Sequence, residues 1–156
     1  MSRFRRAQPG DVDAIVGMMR AYYGEDGYTF VEAEARAAAL MLIDDPALGA
    51  LFVTCDGARV VGYVAVALGF SFEYRGREAF IDELFIAESH RGRGLGREAL
   101  EIAEAYCREM GVNALHLEVE RHRDAAQELY RSRGYEDFGR FLMTKWLTER
   151  ALYPRS

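Results

Sequence analysis

Residues Glu88–Leu100 read ESHRGRGLGREAL, with glycine at 92, 94 and 96 and arginine at 91, 93 and 97. The stretch follows an apolar run, Ala79–Ile86, and leads into apolar residues at helical spacing from Leu95 to Met110. Strand, glycine-rich loop and helix in that order leave free backbone N–H groups at a helix N-terminus. Those groups and the positive end of the helix dipole attract an anion. Glycine lets the backbone approach the anion closely and adopt positive φ. The spacing excludes two common nucleotide loops. A Walker loop needs Lys and then Ser or Thr after its last glycine, and Arg97-Glu98 stands there. A dinucleotide fingerprint starting at Gly92 needs Gly or Ala at 97.

The rest of the chain falls into order around this stretch. Asp11–Tyr23 carries apolar residues at 12, 15, 16, 19 and 23, and Pro9-Gly10-Asp11 opens a helix there. Val31–Ile43 reads as a second helix, stopped before Pro46. Ala50–Cys55 and Val60–Phe70 are β-rich runs joined by Asp56-Gly57, a hairpin signal. Ala79–Ile86 is a third strand. The helix Leu95–Met110 ends at Gly111, a favoured cap. Ala114–Glu120 alternates as a half-buried strand, Asp124–Arg133 is a short helix closed by Gly134, and Tyr135–Leu147 reads as a last strand. The order α, α, β, β, β, α, β, α, β predicts one α/β domain over residues 1–156, a mixed sheet flanked by helices.

Composition narrows the function. At 156 residues, 29% charged and net charge −5, the chain lacks the basic stripe of a nucleic-acid or anionic-membrane binder. Neither Cys55 nor Cys107 sits in a metal-binding spacing, and both are expected to be reduced packing residues. The start, MSRFRRAQPG, has no signal-peptide apolar core, and no apolar run approaches a membrane span. A cytoplasmic protein is expected. His90 beside the glycine loop reads as solvated, and His116 and His122 show no orienting partner.

IDELFIAESHRGRGLGREAL resembles the central segment of the GNAT family of N-acetyltransferases, whose signature is Gln/Arg-x-x-Gly-x-Gly/Ala. LHLEVERHRDAAQELYRSRGYE is similar to the family's later strand, helix and Gly-aromatic turn, so the likeness covers most of Ile81–Glu136. It implies a GNAT-like acyl-CoA N-acyltransferase fold and direct acetyl transfer from acetyl-CoA to an amine, with coenzyme A as product. By this resemblance Arg91, Gly92, Arg93, Gly94, Leu95, Gly96 and Arg97 hold the pyrophosphate. Leu84, Phe85 and Ile86 lie along the pantetheine arm, where a β-bulge frees an N–H of Leu84 or Phe85 toward the thioester carbonyl.

Asp82 is the carboxylate that the resemblance puts in the site, with Glu83 the fallback; strand alternation would let only one of these neighbours face the cleft. Tyr130 aligns with the family's Leu-Tyr and would protonate the departing thiolate. Arg123 stands where the family often has asparagine, and is left with two readings, a coenzyme-phosphate contact or a solvated side chain. Family precedent lines the acceptor site with Tyr22, Tyr23, Glu25, Asp26, Tyr28, Phe30 and Phe80, an acidic and aromatic wall suited to a cation. The acceptor is then an amine of a small molecule or an exposed peptide or protein. A non-catalytic acyl-CoA-binding regulatory module is the alternative. Many members pair through exposed β edges, so Arg140–Leu147 is the expected edge of a homodimer. No metal is expected.

Overall fold

The computed structural model describes residues 2–148. Its centre is the hairpin of β2 (Gly49–Asp56) and β3 (Arg59–Ser71), turned by Gly57 at φ 59°. Valine, phenylalanine and alanine fill both strands and are buried on both faces. Phe52, Val64 and Val66 on one face meet α3 (Leu95–Glu109), which presents Leu95, Ala99, Leu100, Ala103, Tyr106 and Cys107. On the other face Leu51, Val53, Tyr63 and Ala65 meet α1 (Val12–Glu25) and α2 (Glu32–Asp44) through Ile15, Val16 and Ala39. A three-residue strand β1 (Phe4–Arg6), absent from the sequence reading, pairs with β2. Arg5 then donates to both carboxylate oxygens of Asp11, at 2.8 and 2.9 Å, tying this edge to the start of α1.

Beyond the hairpin, β4 (Gly76–Ile86) runs antiparallel to β3, and β5 (Ala114–Leu117) runs parallel to β4, giving the order β1-β2-β3-β4-β5. Helix α4 (Asp124–Ser132) follows. Cys107 is buried as expected, whereas Cys55 is partly exposed, with Arg5 Nη2 3.8 Å from its sulfur.

One irregularity in β4 shapes the site. Ala65 pairs with Glu83 and Val66 with Ile81, so Asp82 has no partner on β3 and forms a β-bulge. The bulge inverts the side-chain phase. Ala79 and Ile81 pack toward α3, and after the extra residue so do Leu84 and Ile86, while Phe85 packs toward α1. The parallel pairing of β4 and β5 stops at Ile81–Leu117. Hence β5 ends at Leu117 rather than Glu120, and the two strands part.

The expected strand Tyr135–Leu147 is not formed. Residues 135–146 carry no strand pairing. Gly139 turns at φ 66°, Arg140 pairs with Glu73 of the β3–β4 turn, and Leu142 and Thr144 reach the cleft beside β4 without pairing to a strand. Strand-forming residues need a partner edge as well as propensity.

Gly49 stands at φ 148°, and a Cβ built there would lie 1.9 Å from the carbonyl oxygen of Val66, opposite the bulged segment. Gly49→Ala is expected to destabilise the fold by about 3 kcal/mol, a Tm loss of roughly 6–12 °C in a calorimetric melt.

Candidate active site

The gap between β4 and the chain after β5 opens into a cleft of about 1590 Å³. Its sides are the C-terminal half of β4, the N-terminus of α3, residues 118–130 and the end of α1.

At one end lies the glycine loop. Gly92 and Gly94 have φ of 75° and 80°, and Gly94 caps α3 in the left-handed conformation that glycine adopts without a Cβ penalty. No atom lies within 4 Å of a Cβ built on either, so the space above both is open. Glu98 N–H bonds to the Gly94 carbonyl at 3.1 Å, the first bond of the helix. The amides of Leu95, Gly96 and Arg97 precede it and have no intrahelical acceptor. They supply an anion site with the dipole behind it.

The loop is fastened from both sides. His90 is buried, not solvated: its Nε2 lies 3.0 Å from Asp56 Oδ2 and its Nδ1 2.8 Å from Ser89 Oγ. That hydrogen bond holds the Asp56 carboxyl below its usual range. Arg3 bonds Glu98 through Nε, at 2.9 and 3.0 Å, and the Arg93 carbonyl at 3.2 Å.

The arginines divide. Arg97 lines the cleft. Arg91 also lines it but turns back, donating from Nε to the Ile86 carbonyl at 2.9 Å and from Nη2 to Glu25 at 3.0 Å, 5.3 Å from the Phe85 ring centre. Arg123 is ion-paired and half-buried rather than simply solvated. It holds the buried Asp26 side chain at 2.7 Å and lies 3.7 Å from Glu25.

The other end holds both carboxylates. The expectation that strand alternation sends Asp82 and Glu83 to opposite faces is corrected by the bulge: both line the cleft. Asp82 opens to the cleft with no hydrogen bond or ion pair among the described residues, and desolvation by the walls raises its carboxyl pKa. Glu83 accepts from Tyr23 Oη at 2.6 Å and Tyr63 Oη at 2.8 Å. Its pKa is raised too. Burial dominates, the neighbouring Asp82 charge adds, and the two phenols pull the other way.

Tyr130 lines the cleft and packs on Tyr135 at 6.0 Å; burial raises its hydroxyl, so it stays protonated. Leu84, Phe85, Ile86, Tyr22, Tyr23, Glu25, Asp26, Tyr28 and Phe80 all face the cleft. Burial, with the charges of Glu83 and Asp26, pushes Tyr22 up to about 12. Phe30 does not line the cleft. It stands behind Tyr23, edge-on at 5.7 Å. Sequence reasoning missed Tyr63, Glu118 and Glu120. Tyr63 carried one signal, a hydroxyl inside an apolar run that needs a partner once buried. His116 has an orienting partner after all, Glu78 at 3.0 Å, and stacks near Phe80 and Tyr74. Among the described residues there is no cluster that could hold a metal ion, and no helix long and apolar enough to cross a membrane.

The family model for the acetyltransferase (GNAT) family matches residues 15–135. The chain belongs to that family. It is 26% identical over 151 residues to streptothricin acetyltransferase of Streptomyces lavendulae, covering 85% of this chain and 80% of the relative. Alignments to three uncharacterized N-acetyltransferases of Bacillus subtilis span only 42%, 58% and 38% of those relatives' lengths. Among solved structures, an integron cassette protein from the mobile metagenome of Cole Harbour Salt Marsh superposes with TM-score 0.84 at 34% identity, covering 95% of this chain and 92% of that one. A predicted acetyltransferase from Clostridium acetobutylicum, solved with acetyl-CoA, shares the fold at TM-score 0.79 and 15% identity, covering 93% and 96%. The mixed sheet is that of a GNAT acyltransferase.

Raised carboxyls oppose folding when charged. A carboxyl whose pKa is higher folded than unfolded favours the fold fully below its unfolded value. That favour is lost as pH rises through the folded value. Asp82→Asn is therefore expected to raise Tm at pH 7.5, with the gain vanishing toward pH 4, in melts across that range.

Proposed function

We propose that this chain transfers the acetyl group of acetyl-CoA directly to a primary amine of a small molecule or an exposed peptide. The observation that carries the reading is a single cleft with free helix amides at one end and, at the other, a carboxylate that faces the cleft with no partner among the described residues. Family membership and the relative named for streptothricin acetylation support it.

The residues present fit the coenzyme. Amides 95–97 and Arg97 would hold the pyrophosphate over the open space at Gly92 and Gly94. When bound, acetyl-CoA supplies an activated acyl carbon and a thiolate leaving group. Past Ile81 the β5-facing side of β4 has no partner strand, so alternate N–H groups of Leu84–Ile86 are free to meet a pantetheine arm. The N–H of Leu84 or Phe85 would donate to the thioester oxygen as negative charge builds there. Asp82 takes the ammonium proton, a step that costs roughly 4–5 kcal/mol for an amine of pKa ~10.4 at pH 7. Tyr130 would donate its own proton to the departing thiolate. Burial raises its pKa, so the phenol holds that proton at neutral pH. Arg123 and Arg91, tied to Asp26 and Glu25, brace the acceptor wall more than they reach the coenzyme.

Titration of acetyl-CoA by calorimetry is expected to give micromolar affinity, weakened more than tenfold by Gly94→Trp, with melts to verify the fold. A screen of amines then separates an enzyme from a silent acyl-CoA-binding module: turnover should fall at least a hundredfold in Asp82→Ala and about tenfold in Tyr130→Phe. Wild type that binds no acetyl-CoA would sink the reading.

A homodimer belongs to the same proposal. Phe70, Phe72, Phe138, Phe141, Met143 and Leu147 are exposed, with Phe72, Met143 and Leu147 about nine-tenths so (91%, 90% and 90%). The Arg140–Glu73 pair at 2.7 Å brings the two groups together. At 150–250 Å² per aromatic side chain the strip offers on the order of 800 Å², one side of a stable interface. A second copy is the occupant this area suits. Light scattering is expected to return twice the chain mass, and Phe141→Glu with Met143→Glu the monomer.

A further inference from the structure

Tyr63 sits in the middle of β3, fully buried, its ring stacked on Phe85 at 6.2 Å and 30°. Behind the cleft wall its hydroxyl donates to Glu83 Oε1, while Tyr23 on α1 donates to Glu83 Oε2. Two donors on two oxygens, from two different elements, fix the plane of the carboxylate as well as its position. Asp82, its neighbour on the bulge, has no such restraint. The two carboxylates are therefore equipped for different work.

We propose that Tyr63 is a positioning residue: with Tyr23 it holds Glu83 in one orientation as the anionic anchor for the acceptor ammonium, beside Asp82, which takes the proton. This rests on the acetyl-transfer reading for its purpose, but not for its geometry. The titratable groups around Glu83 are Tyr22 and Tyr23 from α1, Tyr63 from β3 and Asp82 from β4. Glu118, Glu120 and Asp124 line the same cleft after β5, with His90 and His122; of its arginines, Arg123 is held by Asp26 and Arg91 by Glu25, and Arg97 stands at the glycine-loop end. Burial and Asp82 push Glu83 toward the protonated form, and the phenols oppose them. Tyr63's own hydroxyl is pushed well above its ordinary value, first by burial and then by the Glu83 charge, so it remains a donor throughout the working range. Without that donor Glu83 loses a charge-assisted hydrogen bond and titrates about one pH unit higher.

The test is a carbon NMR titration of side-chain carboxyls, with Glu83 assigned by its loss in Glu83→Gln. In Tyr63→Phe the Glu83 midpoint is expected to rise by about one unit. With a turned-over amine, its KM should rise about tenfold, while kcat and the KM for acetyl-CoA stay within about twofold. The double variant Tyr63→Phe/Glu83→Gln should be no worse than Glu83→Gln alone, because the phenol acts through that carboxylate. An unmoved Glu83 midpoint in a natively melting Tyr63→Phe, or additive losses in the double variant, would overturn the assignment. Should Tyr63→Phe not fold, the wild-type Tyr63 hydroxyl proton serves: it is expected to shift as Glu83 titrates and not in Glu83→Gln, and a resonance indifferent to both overturns the proposal. A shifted midpoint without wild-type turnover on any amine would sustain the positioning role and count against acetyl transfer alone.

Discussion

The site depends on one residue too many in β4. Asp82 has no partner on β3, and from that point the strand's side chains change face. A strand's alternation has period two, so a slip of one residue exchanges its faces. Here the exchange is confined to the cleft half. Ala79 and Ile81 stay against α3, and Leu84 and Ile86 return to it two turns of the pleat later. The bulge thus preserves an apolar face for α3 while exposing two adjacent carboxylates on the other side. The same extra residue bends the strand away from β5, whose pairing ends at Ile81–Leu117. Opening the sheet and arming it are one event.

Holding those carboxylates has an energetic consequence. Glu83 is half-buried and feels the charge of Asp82, which stays exposed to the cleft. The burden is carried by the two cores on either side of β2 and β3, where Val53, Tyr63, Val64 and Val66 are fully or almost fully enclosed. Glu83 recovers part of its lost hydration from the two phenols. Asp82 has no protein partner among the described residues and faces the cleft, which leaves its charge open to a cation entering there.

Local signals carried much of this into the sequence. The Asp56-Gly57 turn, the glycine loop and the helix after it are properties of contiguous residues, and they stand where periodicity and turn chemistry put them. What failed was set by pairing between distant segments. The three residues of β1 are too few to show a period. The apolar residues of 138–147 look like a strand, yet no sheet edge takes them up. The opposed faces assigned to Asp82 and Glu83 follow from an unbroken register; the resemblance implied a β-bulge in this strand, but nothing in the residue pattern of FIDELFI places it at Asp82, where it turns both carboxylates to one side. The acid that holds Arg123 is invisible in the local sequence, because Asp26 lies 97 positions away.

Those long-range ion pairs alter what the acceptor wall is. Counted by residue, Glu25 and Asp26 make it acidic; paired, they do not. Glu25 is shared by Arg91 and Arg123, and Asp26 is closed off by Arg123. Among the described residues, the carboxylates on the cleft side uncommitted to arginine are Asp82 and Glu83, with Glu118, Glu120 and Asp124 after β5. The end of α1 is therefore a brace. It joins the loop that would hold the coenzyme, through Arg91, to the start of α4, through Arg123, and it carries Tyr22 and Tyr23 into the cleft between them. With His90 and Arg3 fastening the other side of the glycine loop, the α3 amides are organised before any anion arrives. Organisation of this kind moves ordering cost from binding to folding. The site is built to receive the coenzyme rather than to form around it.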